Sequence, residues 1–142
     1  MHLFIATFLP PMFLDDNFVC LQSCFCLLRL LLKYHDPAIC NVLSINSVDP
    51  LLYAMRWFFT VFAQQCERVD LVLDIWSRLL QDKNEGGGFG AAAREAHGGQ
   101  WWKRRGVLNL SLALIIMNRD RILNCDRAEL HGIMANLPIK NK

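Results

Sequence analysis

The stretch DPLLYAMRWFFTVFAQQCERVDLVLDIWSRLL, residues 49–80, decides the fold of this 142-residue chain. Its first two residues, Asp49 and Pro50, predict the start of a helix. An aspartate at the N-cap accepts from a backbone N–H that has no helical partner, and proline at the first helical position lacks such a donor. The polar side chains that follow recur every four positions, at Arg56, Thr60 and Gln64. A polar stripe this narrow predicts a helix that is mostly buried.

A second helix is predicted from about Glu67 to Gln81. Its apolar residues follow the helical i, i+3, i+4 spacing at Val69, Val72, Leu73, Trp76, Leu79 and Leu80. On its outer face Asp74 and Arg78 form an acid-to-base pair one turn apart, which adds a few tenths of a kcal/mol. A buried helix and its amphipathic cover predict a helical hairpin as the core.

Composition and charge narrow the class of protein. With 54% hydrophobic and 20% charged residues the chain is typical of one globular domain. The net charge of +2 does not favour nucleic acid as a partner. No run reaches the roughly 20 apolar residues of a membrane span, and the apolar start lacks the basic region of a signal peptide. The six cysteines are therefore interpreted as reduced thiols in the cytoplasm.

The remaining segments also predict helices. Asp15 or Asp16 is expected to cap a long helix that ends near Tyr34. A second Asp-Pro pair, Asp36 and Pro37, opens a short helix over 38–43. Residues 107–117 predict a core helix, and 118–125 a polar link or a continuation of that helix. Residues 126–137 predict a last helix that begins with a capping box from Asp126 to Glu129. Because no segment alternates like a strand, the fold class is all-α, with about five to seven helices.

The segment from Asp82 to Gly106 interrupts the helical pattern. It contains seven of the eight glycines and predicts a flexible insertion. Near its end, the run Trp101-Trp102-Lys103-Arg104-Arg105 has the aromatic and basic composition that can stack on bases. With so little net charge, packing of the tryptophans on the core is favoured, and no nucleic-acid partner is predicted.

The candidate chemical groups do not assemble into a site. Cys20, Cys24 and Cys26 lack a second ligand pair at zinc-site spacing, so buried thiols are favoured over a metal centre. His35 has no recognisable nucleophile nearby, which favours packing or capping over general-base catalysis. His131 is predicted on the surface. The residues alone thus predict a helical interaction domain that is not an enzyme and has no cofactor or metal.

Three separated patches nevertheless resemble the C-terminal half of a TBC domain, the GTPase-activating domain for Rab GTPases. They are LLLKYHDP at 30–37, DPLLYAMRWFFTVFA at 49–63 and VLDIWSRLL at 72–80. The residues that carry this pattern are His35, Asp36, Pro37, Asp49, Pro50, Tyr53, Trp57, Thr60, Phe62, Asp74, Trp76, Leu79 and Leu80. Ser77 stands where the family usually has aspartate. The ending, 122–138, and the Leu9-Pro10-Pro11 region are similar to the endoplasmic-reticulum subgroup of the family.

The resemblance implies a specific chemistry whose residues this chain lacks. In the family an arginine in I-x-x-D-x-x-R neutralises charge on the transferring phosphoryl group, and a glutamine in Y-x-Q positions the attacking water. Neither Tyr34 nor Tyr53 is followed by that glutamine. In the nearest match to the arginine motif, Leu71-x-x-Asp74-x-x-Ser77, serine replaces arginine. Both motifs lie upstream in the family, so no catalytic residue is predicted here.

The chain is therefore expected to be a partial TBC domain, 1–142, that comes from a truncated gene model, a splice product or a diverged fragment. Its implied role is that of a Rab regulator in vesicle traffic, cytoplasmic and peripheral to endomembranes, that is inactive alone. An apolar face left by the missing half would invite a covering partner and limit solubility. Two alternatives stay open: a non-catalytic scaffold that docks a GTPase or another protein, and a membrane-surface protein using the N-terminus and the Lys103–Arg105 cluster.

Overall fold

The computed structural model describes residues 18–81 and 101–139 of the chain. These ranges contain seven helices and no strand, which confirms the all-α prediction. In chain order the helices are α1 Val19–His35, α2 Pro37–Ile45, α3 Pro50–Thr60, α4 Val69–Gln81, α5 Trp101–Met117, α6 Arg119–Leu123 and α7 Leu130–Ala135.

Both Asp-Pro helix starts form as predicted. The Asp36 carboxylate accepts from the Ile39 N–H at 3.2 Å, and the Asp49 carboxylate accepts from the Leu51 N–H at 2.8 Å. The predicted cap of α1 is wrong, since Phe18 occupies that position with a φ of 52° and makes no side-chain cap bond. Asp15 and Asp16 lie outside the described residues.

The core is built from α1, α3 and α5. Helix α3 packs against α1, α5 and α7, whereas α4 packs chiefly against α5. The predicted hairpin of α3 and α4 is therefore wrong. The hairpin does not form because the chain turns away from α3 directly after its end, where Val61 and Phe62 take φ values of 44° and 63°. The helix ends at Thr60, before Gln64, the last residue of the predicted polar stripe.

The turn after α3 stores backbone strain that burial offsets. Positive φ at a residue other than glycine costs on the order of 1–3 kcal/mol. This cost is offset because the Phe62 side chain is fully buried and its ring stacks on the Trp57 ring, with the two ring centroids 6.1 Å apart. The Phe62 N–H also donates to the Trp57 carbonyl at 3.0 Å.

The second half differs from its predicted boundaries. Helix α5 begins at Trp101, six residues before the predicted start, so the last part of the glycine-rich segment is helical; the rest, 82–100, lies outside the described residues. The predicted polar link contains α6. The predicted capping box does not form, because α7 begins only at Leu130. Instead the Asp126 carbonyl accepts from the N–H groups of Glu129 and Leu130.

Helix α5 packs in the core, as predicted for 107–117, and α7 buries its apolar residues. Leu130, Met134 and Leu137 are buried with Ile133 partly buried, and α5 buries one broad face. Across residues 18–81 and 101–139, no single helix is long and apolar enough to cross a membrane. Helices α2 and α3 together reach that length and composition, but they are bent by 114° at their junction.

Candidate functional site

The residues that carry the family pattern separate into two groups, one in the core and one on the surface. The core group begins with Asp36, which joins two helices. Besides capping α2, its carboxylate accepts from Arg119 Nε at 2.8 Å, across 83 positions of sequence. Burial raises the pKa of Asp36, but the bonds from Ile39 and Arg119 outweigh it and leave the pKa below its ordinary value. Asp36 therefore stays ionised and links the start of α2 to the start of α6.

An aromatic cluster formed by Tyr53, Trp57 and Phe62 lies at the centre of the core. The Tyr53 and Trp57 rings are 5.2 Å apart, and all three side chains are buried. Burial, reinforced by the nearby Asp49 carboxylate, raises the pKa of Tyr53 well above its ordinary value, so the phenol stays neutral. The Trp57 Nε1 atom is buried without a hydrogen-bond partner. These features suit a structural role.

Trp76 connects the core group to α4. Its Nε1 donates to the Val61 carbonyl at 2.9 Å, at the turn that ends α3. The Thr60 hydroxyl donates to the Arg56 carbonyl at 2.9 Å, one turn earlier. Trp76 and Leu79 are half-buried against the core, and the side chain of Leu80 lies outside the described part of the structure.

The outer face of α4 is the surface group. The predicted pair is confirmed, with Arg78 Nε 3.0 Å from Asp74 Oδ2, and both side chains are exposed. Ser77, which stands where the family usually has aspartate, donates to the Leu73 carbonyl at 2.7 Å. Two apolar side chains remain in solvent on this helix, Val69 at 75% and Leu73 at 54% exposure. Helix α4 thus presents a mixed apolar and charged surface.

At the start of α4 a second ion pair forms. Arg68 binds the Asp70 carboxylate through two nitrogens, with Nε 3.0 Å from Oδ1. This hydrogen bond lowers the pKa of Asp70. Both side chains are exposed.

The two histidines within the described ranges, His35 and His131, are both exposed. His35, at the end of α1, is exposed, and its ring meets the exposed Tyr34 ring edge-on at 5.2 Å. The capping role considered for it belongs to Asp36, and Pro37 fills the first position of α2. His131 is exposed, which confirms its predicted placement.

The prediction of buried thiols is confirmed for Cys24 and wrong for Cys26, which is exposed; Cys40 is also buried. Burial raises the pKa of the half-buried Cys66. No group of three or more metal-ligating side chains occurs within the described ranges. The side chain of Cys20 lies outside them.

Two structural contacts could not be predicted from the sequence. Arg119, which binds Asp36, lies in the segment predicted as a polar link, and nothing in that segment indicates a partner 83 residues away. The C-terminal end docks through the Ile139 N–H, which donates to the Gln65 carbonyl at 2.8 Å. A parallel bridge between Cys66 and Ile139 continues this contact.

Comparison with known proteins gives one family. The model for the Rab-GTPase-TBC domain matches residues 1–123. Over 77 residues the chain is 32% identical to the TBC domain-containing protein kinase-like protein of Dictyostelium discoideum, covering 54% of this chain and 7% of that protein. The human protein of the same name is 31% identical over 80 residues, covering 56% and 9%. The match therefore spans less than a tenth of these relatives. No solved structure matches.

Proposed function

The chain belongs to the Rab-GTPase-TBC domain family, and from this membership we propose that it docks a Rab-type small GTPase without accelerating GTP hydrolysis itself. The match that covers residues 1–123 makes this chain a TBC domain of the GTPase-regulator family. Docking through α4, without catalytic residues of its own, is what we propose beyond that membership.

The proposed inactivity rests on the sequence, in which neither I-x-x-D-x-x-R nor Y-x-Q occurs. Acceleration of hydrolysis in trans needs an arginine that reaches the phosphoryl group and a residue that orients water. Where this chain comes nearest to the arginine motif, the Ser77 hydroxyl is bonded back to its own helix. The next residue, Arg78, is paired with Asp74. Arginine and glutamine would have to come from outside this chain.

The surface of α4 supports docking. Val69 and Leu73 are exposed apolar side chains on a helix that also carries charged pairs, and such mixed surfaces are typical of protein interfaces. Helix α4 is also held in place, through Trp76 and through packing on α5. A partner therefore meets a preformed surface and orders little on binding.

The cellular setting is part of the same proposal. A role in vesicle traffic, in the cytoplasm and at the periphery of endomembranes, follows from what TBC domains regulate. The named relatives are kinase-like TBC proteins, and an assignment to the endoplasmic-reticulum subgroup stays a prediction, as does the interpretation as a C-terminal lobe.

A scaffold that docks a protein other than a GTPase is the second candidate. This candidate is favoured because apolar side chains are exposed on other helices as well: Leu30 on α1 is 63% exposed and Met117 on α5 is 74% exposed. Binding that does not depend on the nucleotide state of any small GTPase would favour this candidate.

The test measures binding and hydrolysis in parallel on a panel of Rab-type GTPases. We expect saturable binding of the full chain to at least one GTP-loaded member, with hydrolysis at the intrinsic rate. Leu73→Glu should weaken this binding by about tenfold or more, because it places a charge in the apolar part of the interface. Met117→Glu, which makes the same change at an exposed residue of α5, is the matched control.

A further inference from the structure

A pocket of ≈ 240 Å³ lies between α1, α2 and the first turn of α3, away from α4. Its apolar wall includes Leu32, Leu43, Val48 and the ring of Tyr53, all buried side chains. Pockets for drug-sized ligands run to about 300–1,000 Å³, and an engineered cavity of about 150 Å³ holds a benzene ring. The size therefore suits one large apolar side chain rather than a cofactor.

The edge of the pocket is held rigidly by the link between α2 and α3. The Val48 N–H donates to the Leu43 carbonyl at 2.8 Å, and the Ser47 N–H donates to the Ser44 carbonyl at 3.1 Å. The Asn46 side chain adds a bond to the Val42 carbonyl at 2.7 Å. A pocket whose backbone is already bonded in this way loses little conformational entropy when it is filled.

The polar residues of the pocket leave a positive charge available. Asp49 lines it, but one oxygen of its carboxylate is bonded to the Leu51 N–H. Arg29 reaches the Ser44 hydroxyl only at 3.5 Å and, among the residues that the structure describes, forms no ion pair. Lys33 lies one turn further along the same face of α1 and is exposed. Two cations beside one carboxylate leave one net positive charge, which favours an acidic ligand.

Each of the three helices that form the pocket also carries an exposed apolar residue, which favours a protein over a free small molecule. Leu30 follows Arg29, Ile45 follows Ser44, and Leu51 follows Pro50; their exposures are 63%, 64% and 45%. A small ligand inside the pocket would leave them in water. A peptide segment that inserts one side chain can cover its surroundings, which is how anchor residues act at interfaces.

We propose that this pocket docks an acidic segment of a partner protein, which inserts one leucine or phenylalanine and pairs an adjacent carboxylate with Arg29. The site shares no residue with the GTPase-docking surface on α4. Either proposal can therefore fail while the other stands.

The test uses fluorescein-labelled pentapeptides and the full 142-residue chain, with binding followed by fluorescence anisotropy. The probes are EELEE and EEFEE; EEGEE removes the anchor and QQLQQ removes the charges. We expect saturable binding of EELEE or EEFEE, and dissociation constants at least about tenfold higher for both control peptides, since each lacks one of the two contacts.

Variants then locate the binding. Arg29→Met keeps the aliphatic stem at an exposed position and should raise the dissociation constant about tenfold, whereas Arg121→Met, the same change at an exposed arginine of α6 outside the lining, should change it about twofold or less. Binding of EEGEE as tight as that of EELEE would overturn the proposal. So would equal effects of the two variants, or a lack of saturable binding of both anchor peptides at millimolar concentration.

Discussion

Helices α3 and α4 both carry residues of the family pattern, yet they use them differently. In α3 the pattern residues Tyr53 and Trp57 are buried in the aromatic cluster, and Asp49 caps the helix start. In α4 Asp74 is exposed and Trp76 is only half-buried, with its indole nitrogen bonded to the turn after α3. A shared motif thus contains residues that stabilise the fold and residues that remain available to a partner.

The largest expected difference is between two tryptophans. Trp57→Ala should lower the free energy of unfolding by about 3–5 kcal/mol, because it removes a fully buried indole. Trp76→Phe retains most of a half-buried ring and loses one hydrogen bond, so about 1 kcal/mol is expected. Urea denaturation followed by circular dichroism measures both. Equal losses would contradict the division between α3 and α4.

Asp36 provides a pH-dependent test of the core. Asp36→Asn should cost about 1–3 kcal/mol at neutral pH, because it removes the charge that Arg119 and the start of α2 bind. The pKa of Asp36 is lower in the folded state than in the unfolded chain. Its contribution is therefore complete above about pH 4 and lost as pH falls through the folded-state pKa.

The pH profile of the difference between wild type and Asp36→Asn is the measurement. It should be flat near neutrality and shrink towards zero in acid. Arg119→Met should cancel most of the effect of Asp36→Asn in a double-mutant cycle, since the two side chains share one contact. A difference that grows in acid would contradict this role.

A smaller effect is expected at the start of α3. Asp49→Ala removes the side-chain cap and should cost about 1 kcal/mol. Asp126→Ala is a matched control, since the Asp126 backbone carbonyl, not its side chain, bonds the start of α7. The control should stay within about 0.5 kcal/mol of wild type. Thermal melts would separate these two results.

The smallest stability effect is expected on the surface of α4. Leu73→Glu should change the free energy of unfolding by no more than about 0.5 kcal/mol, because Leu73 is largely exposed and packs on little. A loss of several kcal/mol would mean that this face is covered in the folded chain, and it would remove the argument for docking.

The local chemistry of the helices could be predicted from the sequence. The Asp-Pro starts at Asp36 and Asp49 and the Asp74–Arg78 pair depend on neighbours within one turn, and all three formed. The end of α3 could not be predicted in the same way. Val61 and Phe62 take positive φ because burial of Phe62 against Trp57 outweighs the local preference of both residues.

Contacts between residues far apart in the chain also could not be predicted from the sequence. The pairing of Asp36 with Arg119 requires the packing of α2 on α6, which no periodicity within either segment encodes. The same holds for the packing of α4 on α5 in place of the predicted hairpin with α3. Amphipathicity showed that α4 needs a covering neighbour, but it does not identify that neighbour.

The most direct measurement is single-turnover hydrolysis of GTP on Rab-type GTPases with the full chain in excess, beside a binding titration of the same samples. We expect saturable binding to the GTP-loaded form of at least one member and a hydrolysis rate equal to the intrinsic one. Acceleration of hydrolysis by this chain, or binding to no member of the panel, would contradict the proposed function.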